Sequence, residues 1–194
     1  TIGEITVRGP QATTAYYNRP DATALAKIRD TDGGADAGNN TDNSTDNKSG
    51  FWHRMGDVGY FDERGRLWYC GRKADLVTTD RGTLFSVQCE AIFDTHPKVR
   101  RTALVGVLVQ NGEMPVICVE LLPGTPRRAR GEVETDLRAL AERYAHTRDI
   151  RHFLFHSLFP VDIRHNAKIG RPELGRWARR KLRGRTLNAS SGSL

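Results

Sequence analysis

The sequence is short of cysteine, of long apolar runs and of any glycine-rich phosphate cradle, and each shortage excludes something. Three cysteines are present, Cys70, Cys89 and Cys118. Their odd number, wide spacing and apolar neighbours exclude a disulfide framework and a cysteine-built metal centre, and predict buried free thiols. No stretch approaches the roughly twenty apolar residues that a helix needs to cross a bilayer. No signal peptide precedes the first strand-like segment, so the sequence predicts a soluble, cytoplasmic protein with no membrane span. No P-loop occurs. Acidic charge is also in deficit: 30 Lys and Arg face 23 Asp and Glu, a net charge of +7, with the excess in the last third. Such a surplus admits a polyanion, and a basic nucleic-acid-binding module resting on the arginines near Arg127 and Arg180 is the alternative from a different class. Interleaved exposed aromatics and a nucleic-acid motif are missing, so the arginines read as solvated helix faces and no nucleic-acid partner is expected.

What is present divides into segments. Gly3 to Gly9 alternates apolar and polar residues, as a half-buried strand does. Residues 12–27 read as helical or irregular. Asp30 to Gly50 is nearly all Asp, Asn, Thr, Ser and Gly; it cannot bury enough surface to offset the entropy of ordering, and residues 28–50 are expected to form a disordered insertion. Asn39, Asn43 and Asn47 open glycosylation sequons, but nothing targets the chain for secretion. A calcium loop starting at Asp42 fails because His53 stands where its closing Glu belongs.

Beyond the insertion, Val58–Phe61 and Arg66–Cys70 read as strands joined by the polar turn 62–65. Gly71–Asp75 is the expected hinge region. Ser86 is placed to cap a short helix carrying Cys89, Ile92 and Phe93 on one face, ended through His96 by Pro97. Ala103–Val109 reads as a buried strand turning at Asn111-Gly112 into a partner, Met114–Leu122. Val133, Leu137, Leu140, Ala141 and Tyr144 have helical spacing, with acidic residues opening that helix and Arg143 and Arg148 closing it. His152–Phe159 reads as a further strand. Pro172 opens a terminal helix with Leu174, Trp177, Ala178 and Leu182 on one face, a core stripe, and Arg179, Arg180, Lys181 and Arg183 on its wet side.

Four separated segments, and a lysine loop beyond them, resemble in order those of the adenylate-forming superfamily of acyl-CoA synthetases, peptide-synthetase adenylation domains and firefly luciferase. Gly3-Glu4-Ile5 is similar to its glycine-glutamate-isoleucine strand. Tyr17-Asn18-Arg19-Pro20-Asp21-Ala22-Thr23 is similar to its tyrosine-x-asparagine-x-proline-x-x-threonine stretch. Trp52 to Asp57 resembles its tryptophan-x-x-threonine-glycine-aspartate motif, with Met55 in place of threonine. Gly71-Arg72 opens the next motif, and Glu90 stands at its terminal glutamate. Arg164 to Gly170 resembles the family's lysine loop, with Ala167 for the usual glycine and Asp162 for the proline.

The resemblance implies an enzyme that uses ATP and Mg2+, bound mostly outside this sequence, to activate a carboxylic acid as an acyl-adenylate. It implies that Asp57 accepts hydrogen bonds from the ribose hydroxyls. It implies that Arg72 offers its donor fork to ribose or phosphate oxygens, and that Lys168 is the catalytic cation bridging the carboxylate and the α-phosphate. The family's phosphate-binding loop and most of its acyl pocket lie upstream, so the chain is expected to be a carboxyl-terminal fragment, inactive alone. The implied fold class is α+β: residues 1–72 as the β-rich end of a large domain, a hinge at 73–75, a mobile α+β lid at 76–185, and a flexible tail at 186–194.

The departures from the general pattern fit one subgroup. Ala74 replaces the hinge aspartate or lysine, and Thr78 to Gly82 carries its glycine one place late. Phe51–Lys73, Cys89–Phe93 with Thr95-His96-Pro97, Arg100–Val107 and Phe159–Lys168 resemble the β-lactone synthetases of bacterial olefin biosynthesis. That likeness implies a long-chain 2-alkyl-3-hydroxy acid as substrate, AMP as product, no CoA, and other enzymes of the pathway as partners. The alternative within the superfamily is a long-chain fatty-acyl-CoA synthetase, the one reading in which CoA is used.

Overall fold

The computed structural model describes residues 1–29, 51–110, 112–162 and 168–190. Residues 30–50 of the insertion expected at 28–50, the turn residue Asn111 and residues 163–167 of the lysine loop lie outside them, while Ile28 and Arg29, expected in that insertion, are paired in a strand. The chain divides into two units, residues 1–69 and 70–194, and its class is α+β.

In the first unit β1 (Gly3–Val7) and β2 (Lys27–Arg29) flank β3 (Phe51–Phe61), with β4 (Leu67–Arg72) also paired to β3. Strand β3 begins at Phe51, not at Val58 as its apolar end suggested: polar His53, Arg54 and Asp57 hide a strand whose pairing partners lie far away in sequence. Helix α1 (Pro20–Ala26) is short, and residues 12–19 are mostly turns. Asn18 holds φ at 51°, the left-handed region that asparagine tolerates better than most residues. Thr23 closes this turn by accepting from the Tyr16 N–H at 2.9 Å and donating to the Arg19 carbonyl at 2.9 Å. The asparagine and threonine of that motif therefore have local backbone duties.

Asp62 begins the turn between β3 and β4. Its carboxylate accepts from the Trp68 indole N–H (2.9 Å), from the backbone N–H groups of Arg64 (3.0 Å) and Arg66 (2.9 Å), and from the Arg66 guanidinium (2.7 Å). The Trp68 indole, then the Arg66 backbone, hold its pKa down at about 2. Because the folded value lies below the unfolded value of about 4, the turn's contribution is fully present above pH ~4 and is lost as pH falls through about 2. A carboxyl titration of Asp62 followed by NMR should show a midpoint near 2; a midpoint near 4 would show that these bonds do not persist in solution.

The second unit is built on a sheet ordered β7 (Val99–Val109), β8 (Gly112–Leu121), β9 (His152–His156), with β7–β8 antiparallel and β8–β9 parallel. Between β4 and β7 come a 3-10 turn at Lys73–Asp75, the hairpin β5 (Val77–Thr79) and β6 (Gly82–Leu84), and α2 (Ser86–Phe93). Helix α3 (Arg130–Glu142) joins β8 to β9, and α4 (Arg171–Ser190) follows the short antiparallel pair β10 (Val161–Asp162) and β11 (Lys168–Ile169). Alternate residues of the three strands enter two cores. Leu104, Ile117, Val119 and Phe153 pack with α2 and α3 residues such as Phe93, Val133 and Leu137. Ala103, Val105, Val116, Cys118 and Leu154 pack with Leu174 and Ala178 of α4. The continuous apolar runs thus belong to strands covered on both faces, as expected where helices sandwich a sheet.

Several local expectations need correction. Ser86 does not cap α2; it is the first helical residue and is itself buried, and the cap position, Phe85, makes no side-chain cap bond. The buried face of α2 carries Glu90 beside Cys89 and Phe93, with Ile92 only half-buried. Tyr144 lies beyond α3 and is exposed. Strand β9 stops at His156, before Phe159, which is buried from a loop. The helical backbone of α4 runs to Ser190. All three cysteines are free and buried; burial pushes the Cys89 and Cys118 thiols up to about 12, so neither is a nucleophile at neutral pH. Among the described residues, no helix is long and apolar enough to cross a membrane.

Candidate functional site

Asp57 occupies an irregularity of β3. Opposite β1 the pairing jumps from Glu4↔Val58 to Thr6↔Arg54, so Met55, Gly56 and Asp57 form a bulge, and Gly56 takes φ 68°. Bulges re-aim side chains and are common beside binding sites. The bulge is anchored at its start by Arg54, whose guanidinium Nε donates to Glu4 at 3.0 Å and whose Nη1 donates to the Leu25 carbonyl at 3.2 Å. Asp57 is half-buried, with Oδ1 shielded from solvent. Next to it, a groove of about 740 Å³ is lined by Tyr16, Tyr17, Arg19, Leu25, Arg54 and Gly56. Gly56, the sequence neighbour of Asp57, lines this groove, and Asp57 itself does not.

Arg72 ends β4 with extended backbone and an exposed side chain. Lys168 lies on β11, paired in register with Asp162 of β10, and is exposed. Its ammonium makes no ion pair among the described residues. Asp57 belongs to the first unit, and Arg72 and Lys168 to the second.

Arg171 carries no local sequence signal. At the start of α4, its guanidinium donates through Nη2 to Glu90 Oε2 at 2.9 Å and through Nη1 to Glu90 Oε1, while Nη1 also reaches the Leu104 carbonyl at 3.2 Å. Its Nε faces Asp75 Oδ2 at 3.1 Å. Glu90 accepts a further bond from the Leu104 N–H at 2.7 Å. Burial raises the Glu90 pKa, and Arg171 opposes that rise. Glu90 is thus a structural carboxylate inside the second unit. A cleft of about 350 Å³ opens beside this group, lined by Asp75, Val77, Leu104, Glu113, Arg171 and Arg179. Among the described residues no group of three or more His, Cys, Asp and Glu side chains could hold a metal.

Comparison with known proteins places this architecture. No protein-family model matches the sequence. An olefin β-lactone synthetase of Xanthomonas campestris is 53% identical over 179 residues, covering 91% of this chain and 30% of that protein. Another, of Stenotrophomonas maltophilia, is 50% identical over 181 residues, covering 93% and 30%. This stretch of sequence resembles the matching part of proteins of the adenylate-forming superfamily. The chain spans about 30% of the length of these curated relatives. Among solved structures, the amide bond synthetase McbA from Marinactinospora thermotolerans superposes with a TM-score of 0.68 at 27% identity, over 91% of this chain and 31% of that one. The fold matches the α+β carboxyl-terminal portion of adenylate-forming ligases.

Proposed function

We propose that this chain is the carboxyl-terminal part of an ATP-dependent, AMP-forming enzyme of olefin biosynthesis that converts a long-chain 2-alkyl-3-hydroxy acid into a β-lactone. The identity of at least 50% to two olefin β-lactone synthetases over nine-tenths of the chain carries this reading. The acid's carboxylate attacks the α-phosphorus of ATP and pyrophosphate leaves. The 3-hydroxyl then attacks the acyl carbon of the adenylate, its proton is lost and AMP departs. In the first step two anions approach one another, so a placed cation is needed where charge accumulates. Lys168, a compact and exposed ammonium, takes that role. Asp57 accepts from the ribose hydroxyls, and Arg72 donates to ribose or phosphate oxygens. The substrates ATP and the hydroxy acid meet these groups in the cytoplasm.

The test uses the complete protein that carries this segment, supplied with a 3-hydroxy acid and ATP, with and without CoA. Lactone and AMP should form in equal amounts without CoA. Acyl-CoA as the sole product would overturn the lactone reading in favour of a fatty-acyl-CoA synthetase. The 194-residue chain alone should catalyse no acid-dependent exchange of pyrophosphate into ATP, because it spans under a third of the relatives.

A further inference from the structure

We infer that Arg171 is a positioning residue that locks Lys168 to the start of the second unit through Asp75. This inference rests on the adenylation role proposed for Lys168.

Three observations meet at Arg171. Towards the amino terminus, the pair β10–β11 carries Lys168 opposite Asp162 and ends at Ile169; the next residue, Gly170, donates its N–H to the Pro160 carbonyl at 2.7 Å. The Gly170 carbonyl in turn accepts from the Glu173 and Leu174 N–H groups at 3.0 and 3.1 Å, opening α4. Lys168 is therefore joined to Arg171 by a short segment hydrogen-bonded at both ends. Towards the core, the Arg171 fork is held by both oxygens of Glu90 and by the Leu104 carbonyl, so it is fixed to α2 and β7. Towards the hinge region, Nε faces Asp75, the last residue of the 3-10 turn that follows Arg72. All three charged side chains are largely shielded, with 16%, 12% and 21% of Arg171, Glu90 and Asp75 exposed.

Only arginine meets these demands together. Its planar fork offers donors on two edges, whereas lysine is a point donor that can satisfy one carboxylate well. The arrangement makes the position of Lys168 depend on the same side chain that holds Asp75. A lysine that must sit within ångströms of a forming bond loses rate steeply when its support shifts. Arg171 itself need touch neither substrate.

In the complete protein, Arg171→Met should lower the adenylation kcat about ten- to a hundredfold, with KM for ATP changed by no more than about twofold. Lactone formation from a supplied acyl-adenylate should be unaffected. In a Lys168→Ala background, Arg171→Met should produce almost no further loss, because the group it positions is gone. Arg171→Lys should recover part of the rate. The full loss persisting in the Lys168→Ala background, or an equal loss in both half-reactions, overturns the inference and points to general destabilisation.

Amide exchange gives a second readout that is independent of the reaction. Arg171→Met should speed exchange at Gly170 at least about tenfold while β7–β8 amides stay protected; unchanged protection overturns the positioning role. Should Lys168→Ala leave adenylation untouched, the proposed role of Lys168 fails, and the exchange result still judges the Arg171 clamp. If Arg171→Met does not fold, Asp75→Asn, which releases one arm and leaves the Glu90 pair in place, takes its place with the same outcomes.

Discussion

Replacing Lys168 by alanine in the complete protein should slow acyl-adenylate formation by about two to three powers of ten, the scale of losing one electrostatic catalytic group. The residue sits exposed on the two-stranded β10–β11 pair, so its removal should leave folding nearly unchanged. Lactone formation from a supplied acyl-adenylate should continue at close to the parent rate, because that step no longer brings a carboxylate against a triphosphate. Asp57→Ala should differ in kind: it removes the acceptor proposed for the ribose and should raise KM for ATP more than it lowers kcat. Measuring the two half-reactions separately decides the matter. An unchanged adenylation rate in Lys168→Ala would show that this lysine is an ordinary solvated charge.

The largest stability loss is expected at Glu120. Its side chain is only 1% exposed, yet it accepts from Arg100 at 2.8 Å, from Arg101 Nε and Nη2 at 3.1 and 2.9 Å, and from the Phe159 N–H at 2.6 Å. It therefore ties β7 to the loop that carries Phe159 into the second core. Removing one partner of a buried charged network costs more than the network contributes, because the remaining groups are stranded. The arginines, which are partly exposed, can regain water; the buried Phe159 N–H cannot. Glu120→Ala should destabilise the protein by about 3 kcal/mol, read as a lower denaturant midpoint at unchanged slope. Glu120→Gln keeps an acceptor for Phe159 and should cost less. A loss below about 1 kcal/mol for the alanine variant would show that the network's donors all find water.

The regular parts of the second unit were legible because their signal is local. Ala103, Leu104, Val105 and Val107 of the apolar run, the stripe Val133, Leu137 and Ala141, and the terminal stripe Leu174 and Ala178 lie in the cores, whereas Leu108 and Val109 at the end of the run are exposed. The β-rich first unit was less so. The front half of β3 is polar, and what makes it a strand is pairing with Gly3–Val7 and Lys27–Arg29, which no local pattern reports. Buried charge was the other blind spot. Glu90 was marked by its motif but not as buried, Glu120 was passed over inside an apolar run, and Arg171 looked like one more arginine in a basic region. Burial of an ionised group depends on the partner brought to it by the fold, here across 81 residues between Glu90 and Arg171. Asp57, Arg72 and Lys168 were singled out by motif resemblance rather than by any physical peculiarity of their surroundings in the sequence.

The mixed pairing of the central sheet also bears on the order in which the molecule can assemble. Strands β7 and β8 pair from Val109 and Gly112 onward, so their antiparallel ladder closes a small loop and can form early. Strand β9 joins β8 in parallel, which requires the whole of α3 to be spanned first, and loop closure over that distance carries an entropic cost before any hydrogen bond is gained. Until β9 arrives, one edge of β8 is open, and Ile117 and Val119 lack Phe153 as a neighbour in the first core. The slow event in this unit is thus the return of the chain after α3, and the nascent hairpin, apolar on both faces, is the species that other chains would find during that interval.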